Sequence, residues 1–209
     1  MKSTKILLTA FDPFGGEDTN AVLEVLRLIS GTIDGATIKK LVVPTVFYKA
    51  SDMIKETACS LSPDVIVMLG QAKGRSAITP ERVAINVIDA SIDDNEGNRP
   101  KDARIIDGAP DGYFSTLPIK NMVDSIKSEG ISAAVSNSAG TFVCNQTMFS
   151  VLHFANTELP NAKVGFIHIP CTPAQANEQT PSMATVDAVR GIEAALRSII
   201  KNITNGERQ

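Results

Sequence analysis

Apolar residues run through the chain in short blocks whose spacing switches between two periods. Residues 5–9 (KILLT), 38–43 and 65–69 (VIVML) are strand-length apolar runs, and the last is followed by Gly70. A run like VIVML, with no polar position, is the pattern of a strand covered on both faces. Between these runs Ala21, Val22, Val25, Leu26 and Ile29 recur at helical spacing, and residues 48–59 read as a second helix. Pro44 stops the strand at 38–43. Residues 83–88 alternate as a strand or one arm of a hairpin.

Residues 91–113 are rich in Asp, Asn, Gly and Pro and read as a loop or hairpin excursion, long enough to suggest a functional cover. Pro118 opens a helix whose buried stripe is Ile119, Met122, Val123 and Ile126. A short strand is predicted at 133–135, a helix at 145–156, and a strand at 164–169 stopped by Pro170. Ser182 is the expected cap of a last helix carrying Met183, Val186, Val189, Ile192, Leu196 and Ile199. The tail from Asn202 is expected to fray. With no repeat or linker, the alternation predicts one α/β domain over residues 1–209. Its mostly parallel, twisted central sheet is sandwiched between helices.

Composition narrows the function. The 20 basic and 23 acidic side chains give a net charge of −3, with no Lys/Arg block, so nucleic acid is not an expected partner. No run approaches the roughly 18 apolar residues of a membrane span, and the apolar start is too short for a signal peptide; a cytoplasmic protein is expected. Cysteines 59, 144 and 171 are odd in number and form no CxxC, and the only histidines are His153 and His168. Neither a disulfide framework nor a metal site is indicated, and no cofactor is expected. Asn-x-Thr sequons at Asn145 and Asn202 matter only in a secreted chain.

Candidate chemistry gathers at Cys144, which follows the 133–135 strand and falls in the first turn of the next helix. Unsatisfied N–H groups and the helix dipole there favour a thiolate and a developing oxyanion. Position alone leaves Cys144 open between nucleophile and inert core filler. A nucleophile needs a base. His153 is nine residues on along the same helix, about half a turn out of phase and about 13 Å away. His168, closing a strand before Pro170, is the better candidate. The group that orients the imidazole is Asp12, Glu81 or Asp89, and the pattern does not choose among them.

The ordered set TAFDPFGG, GQAKGR, ERVAINVIDA, SAGTFVCN and HIP resembles the pyroglutamyl peptidase type I family, also called pyrrolidone-carboxylate peptidases, over residues 5–170. The resemblance implies Cys144 as nucleophile, His168 as base and Glu81 as orienting carboxylate. It implies that Phe11, Phe14 and Phe142 bind the pyroglutamyl ring, with a backbone contact at Gln71. It further implies pyroglutamyl peptide substrates and assembly as a homodimer or homotetramer. Two positions depart from the family pattern. Ser91 replaces a usual arginine, with Arg99 and Arg104 as candidate substitutes, and Lys73 replaces a small residue. Ser91 keeps a rival reading open, a binding protein without turnover.

Overall fold

The computed structural model describes residues 3–206. Strand β1 (Lys5–Phe11) leads through α1 (Ala21–Leu28) and the short β2 (Thr32–Ile33) to β3 (Ala36–Val43). Helix α2 (Lys49–Leu61) crosses back to β4 (Val65–Gln71), and β5 (Thr79–Pro80) follows. Strands β6 (Val83–Ile85) and β7 (Gly112–Phe114) pair as a separate hairpin. Then come α3 (Ile119–Ser128), α4 (Val143–Glu158), β8 (Lys163–Ile169), a 3-10 turn at Pro173–Gln175 and α5 (Thr185–Gly206).

The six-stranded sheet runs β2-β3-β1-β4-β8-β5. Its four central strands are parallel, and the short edge strands β2 and β5 are antiparallel. Strict alternation divides the strand side chains between two cores. Ile6, Leu8, Val65, Val67, Leu69, Ile167 and Ile169 pack against α1, α3 and α5. Leu7, Ile66, Met68, Val164 and Phe166 pack against α2 and α4. A strand buried on both faces has no polar side to show, which is why VIVML reads as it does. His168 continues the second series, so the period of two directs it to the α2/α4 face, the face that carries Cys144.

The chain leaves β1 in one direction and returns to β4 on the opposite side, so the sheet reverses its winding between these two strands. At such a reversal a crevice opens outside the carboxyl ends. Around it stand the loop after Phe11, the turn after Gln71 and the end of β8.

Four predicted details differ. Residues 133–135 form no continuous strand; Ala133 and Ser136 make single parallel bridges to Ile78 and Glu81 along the far side of β5. Ser182 is bridged to Cys171, and α5 begins three residues later, with Ala184 O accepting from Asp187 and Ala188. Val186, placed in the buried stripe, is exposed, because the later start rotates it outward. The tail expected to fray continues α5 to Gly206, while 207–209 lie outside the described residues. Among the described residues no helix is long and apolar enough to cross a membrane.

The polar excursion folds down over the β1 loop. Asn95 donates to Asp12 Oδ1 at 3.1 Å and to Pro13 O at 2.8 Å, and its N–H reaches Thr45 O at 3.0 Å. Asp94, buried, accepts from the backbone N–H groups of Phe47, Glu96 and Asn98.

Candidate active site

The imidazole of His168 is 4% exposed and the carboxylate of Glu81 is fully buried. Strand β5 turns back along β8 with Thr79 opposite His168, which brings Glu81, just beyond β5, to the imidazole. Nδ1 of His168 lies 2.7 Å from Glu81 Oε1. Of the three carboxylates the sequence left open, this is the one that meets the histidine. Asp12 Oδ1 instead accepts from Thr45 N at 2.7 Å, and Asp89 is exposed and paired with Lys101 at 3.6 Å. His153 bonds Tyr113 Oη at 2.8 Å on the far part of α4.

A residue not singled out from the sequence completes the cluster. Arg75 Nη1 donates to Glu81 Oε1 and to Thr79 Oγ1, each at 2.6 Å, and Nη2 donates to Ser138 O at 3.1 Å. Its signal was a cation in the GQAKGR turn immediately after a fully buried strand. Ser136, bridged to Glu81 through the backbone, adds a hydroxyl beside the carboxylate that favours its ionised form; that hydroxyl also lies 3.1 Å from Ser138 O.

Burial opposes the charge on Glu81, but the bond from His168 and its charge, then the Ser136 hydroxyl and the Arg75 guanidinium, outweigh it and hold the carboxyl below its ordinary range. Burial lowers the pKa of His168 and Arg75 adds to this, against the pull of Glu81. With Glu81 ionised, Nδ1 carries the imidazole proton and Nε2 presents its lone pair.

Cys144 is the second residue of α4. Gly140, at φ +79°, makes the turn before the helix, and Thr141 is tied to the Asp89 backbone in both directions (2.9 and 3.0 Å). Phe142 is the N-cap and offers no side-chain cap, so the first N–H groups of α4 stay available at this end. The helix is packed on nearly every side. Asn145 clamps β6 through Ile85 N and O, and Gln146 Oε1 accepts from Tyr48 N at 2.9 Å. The sequon at Asn145 is therefore buried.

The sequence predicts a stabilised thiolate at this helix end. The structure gives the opposite balance: burial, then the negative charge of Glu81, push the Cys144 thiol up to about 12, against Arg75 and its own N–H. None of the described hydrogen bonds joins the sulfur to His168; the two feel each other's partners, Glu81 and Arg75. The resting groups are a thiol and a neutral imidazole, and catalytic bonds of this kind commonly tighten once substrate is bound.

An aromatic group flanks the nucleophile. Phe142 has Phe14 at 6.3 Å between centroids and Phe47 edge-on at 5.2 Å. Phe47 was not read from the sequence; it lies in the turn past Pro44, where no periodicity marks it. Phe11, expected in this group, is 2% exposed and packs on Phe166 at 6.2 Å, so it backs the β8 strand from the core. The side chain of Gln71 accepts from Ala21 N at 2.7 Å and so holds the start of α1. Lys73 pairs with Glu17 at 3.1 Å. Arg99 donates to the backbone carbonyl of Ser91, and Arg104 is bound to Ala109 O and Asp111.

Comparison with known proteins identifies the family and the fold. Residues 4–202 match the family model described as pyroglutamyl peptidase. A pyrrolidone-carboxylate peptidase of Clostridium perfringens (strain 13 / Type A) is 49% identical over 200 residues, covering 95% of this chain and 94% of the relative. One from Streptococcus pyogenes serotype M4 is 50% identical over 198 residues, covering 94% and 92%. The crystal structure of pyroglutamyl peptidase I from Bacillus amyloliquefaciens superposes with a TM-score of 0.91 at 44% identity, covering 95% of both chains. Pyrrolidone carboxyl peptidase from Thermococcus litoralis gives 0.93 at 34% identity, covering 97% and 96%. The fold, the buried histidine–carboxylate pair and the matches over nearly the whole chain lead to one conclusion: this chain belongs to the pyroglutamyl peptidase family.

Proposed function

We propose that the chain is a cysteine peptidase that hydrolyses the amide bond following an N-terminal pyroglutamyl (5-oxoproline) residue. The observation that carries the reading is the buried Glu81–His168 pair at the carboxyl end of β8, on the sheet face that carries the N-terminus of α4 and Cys144.

In this reading Nε2 of His168 takes the proton from Cys144 as the sulfur attacks the pyroglutamyl carbonyl carbon. The resting proton is on sulfur, so transfer and attack are coupled and no standing ion pair is required. The uncapped N–H groups at the start of α4, that of Cys144 among them, receive the oxyanion. The C–N bond then breaks, and His168 returns the proton to the leaving amine. A water molecule, deprotonated by His168, attacks the thioester and releases 5-oxoproline and the thiol. Glu81 accepts from Nδ1–H throughout and stabilises the imidazolium formed between the steps.

The acyl group is a small, flat, neutral lactam, which suits an apolar wall with few polar contacts. Phe14, Phe142 and Phe47 supply that wall. Gln71, with its side chain engaged by α1, contributes its backbone. Three unpaired cysteines suit a reducing compartment, and the cytoplasm is the proposed setting. Assembly as a homodimer or homotetramer is proposed on the family resemblance.

Purified protein is expected to release 4-nitroaniline from pyroglutamyl 4-nitroanilide and not from the prolyl or alanyl anilides. Binding of the pyroglutamyl compound without release ends the reading. The pH dependence of kcat/KM carries a second expectation. Activity requires neutral His168, whose pKa is lowered from 6.5, so the acid limb falls below pH 6.5. The thiol titrates only near 12, so no alkaline limb interrupts the neutral to mildly alkaline range. A bell with its alkaline arm near pH 8 contradicts the neutral resting pair.

A further inference from the structure

The reaction above uses Cys144, His168 and Glu81 and leaves unexplained why a guanidinium is joined to the same carboxylate. Arg75 is at the rim of the site, its side chain 30% exposed, and makes three bonds: two to the buried Thr79 and Glu81 and one to the exposed Ser138 carbonyl. They reach three different pieces of chain. Thr79 lies on β5, and its hydroxyl also faces His168 O at 3.4 Å. Glu81 is the carboxylate bonded to the imidazole. Ser138 precedes the Gly140 turn that delivers Cys144. One planar, forked cation therefore joins the base side of the site to the nucleophile side, which a lysine, as a single point charge, cannot reproduce.

We propose that Arg75 is a positioning residue for the reaction: its three-way grip holds Glu81 as an ionised acceptor of His168 Nδ1–H and fixes the Ser138 loop, and with it Cys144, relative to the imidazole. The inference rests on the peptidase reading given above. A buried carboxylate depends on the donors around it, and Oε1 takes two of them, from His168 and Arg75. Without Arg75, Oε1 keeps only the bond from His168, and the ionised form of Glu81 loses its one permanently charged donor there.

The charged and titratable groups around the imidazole are few. Glu81 approaches from the end of β5 and Arg75 from the turn after β4, and the charges of the same two groups reach Cys144 on α4. The neighbours on β4 and β8, Gly70 and the ring of Phe166, carry no charge. Removing the arginine therefore withdraws the one fixed cation near the imidazole, and protonation of His168 becomes easier.

Wild type, Arg75→Gln, Arg75→Lys and Cys144→Ala are compared on pyroglutamyl 4-nitroanilide across pH, with alkylation of Cys144 by iodoacetamide followed in parallel. Arg75→Gln is expected to lose about 10²-fold in kcat with KM changed less than about threefold, since the arginine acts through Glu81 and not on the substrate. Its acid limb moves to higher pH, in turnover and in alkylation alike. Arg75→Lys keeps the charge and hence the wild-type acid limb, but loses kcat because the fork to Ser138 is gone. A loss confined to KM, or an unmoved acid limb in Arg75→Gln, overturns the inference. Should Arg75→Gln fail to fold, Arg75→Lys decides: a kcat equal to wild type overturns it, and a reduced kcat on an unshifted acid limb supports it. An inactive wild type, or an active Cys144→Ala, defeats the peptidase reading itself, whereas an active wild type indifferent to Arg75 defeats only this proposal.

Discussion

Cys144→Ala is expected to lower kcat on a pyroglutamyl anilide by about 10⁴-fold or more, leaving at most the residual acceleration of binding and the oxyanion donors. Two other sulfurs test the assignment. Cys59 is exposed on α2, remote in sequence from every strand end that forms the crevice. Cys171 is three residues past His168 but buried, with its sulfur 3.3 Å from Pro181 O. Neither lies in the first turn of a helix beside the aromatic group. The substitution removes one sulfur from a half-buried position, so stability should change by no more than about 1 kcal/mol. Turnover, a urea unfolding curve and mass spectrometry of an acyl-enzyme trapped at low pH check the three parts. A Cys144→Ala protein with more than about 1% of wild-type kcat places the nucleophile elsewhere, since loss of a true nucleophile costs far more.

Gly70→Ala should also be damaging, although Gly70 carries no functional group. In register it lies directly across from His168. A methyl there would lie 2.7 Å from the Phe166 ring and 2.9 Å from Cδ2 of His168, closer than carbon atoms approach. Phe166 is fully buried and held by Phe11 behind it, so it has no room to retreat. The imidazole must shift instead, away from Glu81 or from the sulfur. Misplacement by about 1 Å costs on the order of 10² in rate, and overpacking costs roughly 1–3 kcal/mol in stability. The expected signature is a fall in kcat of about 10²-fold together with an earlier urea midpoint. Unchanged kcat in Gly70→Ala means that the histidine does not depend on this packing.

Much of this arrangement was legible in the pattern of residues. The continuous apolar strands β1, β4 and β8 announce themselves because burial on both faces leaves no polar position, and their carboxyl ends locate the crevice. The two-residue period then assigns His168 to the α4 face. Glu81 was not legible as a partner. It is delivered by β5, two residues long and containing Pro80, which has no periodicity to detect and pairs only through tertiary contact. The same short strand is why 133–135 never becomes a full strand: its partner offers too few rungs. The expected thiolate failed for a different reason. Helix position speaks of the dipole, but burial and the charge of Glu81 are properties of the assembled site and here they outweigh it. Phe11 reads from the sequence as part of the loop after a strand ending at Thr9; two more residues of β1 carry it into the strand, where it is buried against Phe166 on the α2/α4 face, in the same core as Phe142 and Phe47.

Just before α2, the chain passes Tyr48 with φ 61° and ψ −42°, and Lys49 N bonds Phe47 O at 2.7 Å across it. An ordinary residue adopts such a tight reverse bend only against its own preference, at about 1–3 kcal/mol. Two buried polar groups on separate elements restrain it: Gln146 takes the N–H of Tyr48, and Asp94 takes that of Phe47. The backbone beneath the Phe47 ring is thus clamped independently of the ring itself. Trimming that side chain is expected to enlarge the room beside Phe142 while the main chain keeps its course, which under the proposed reading would broaden the acyl groups admitted without loosening the scaffold that holds the sulfur.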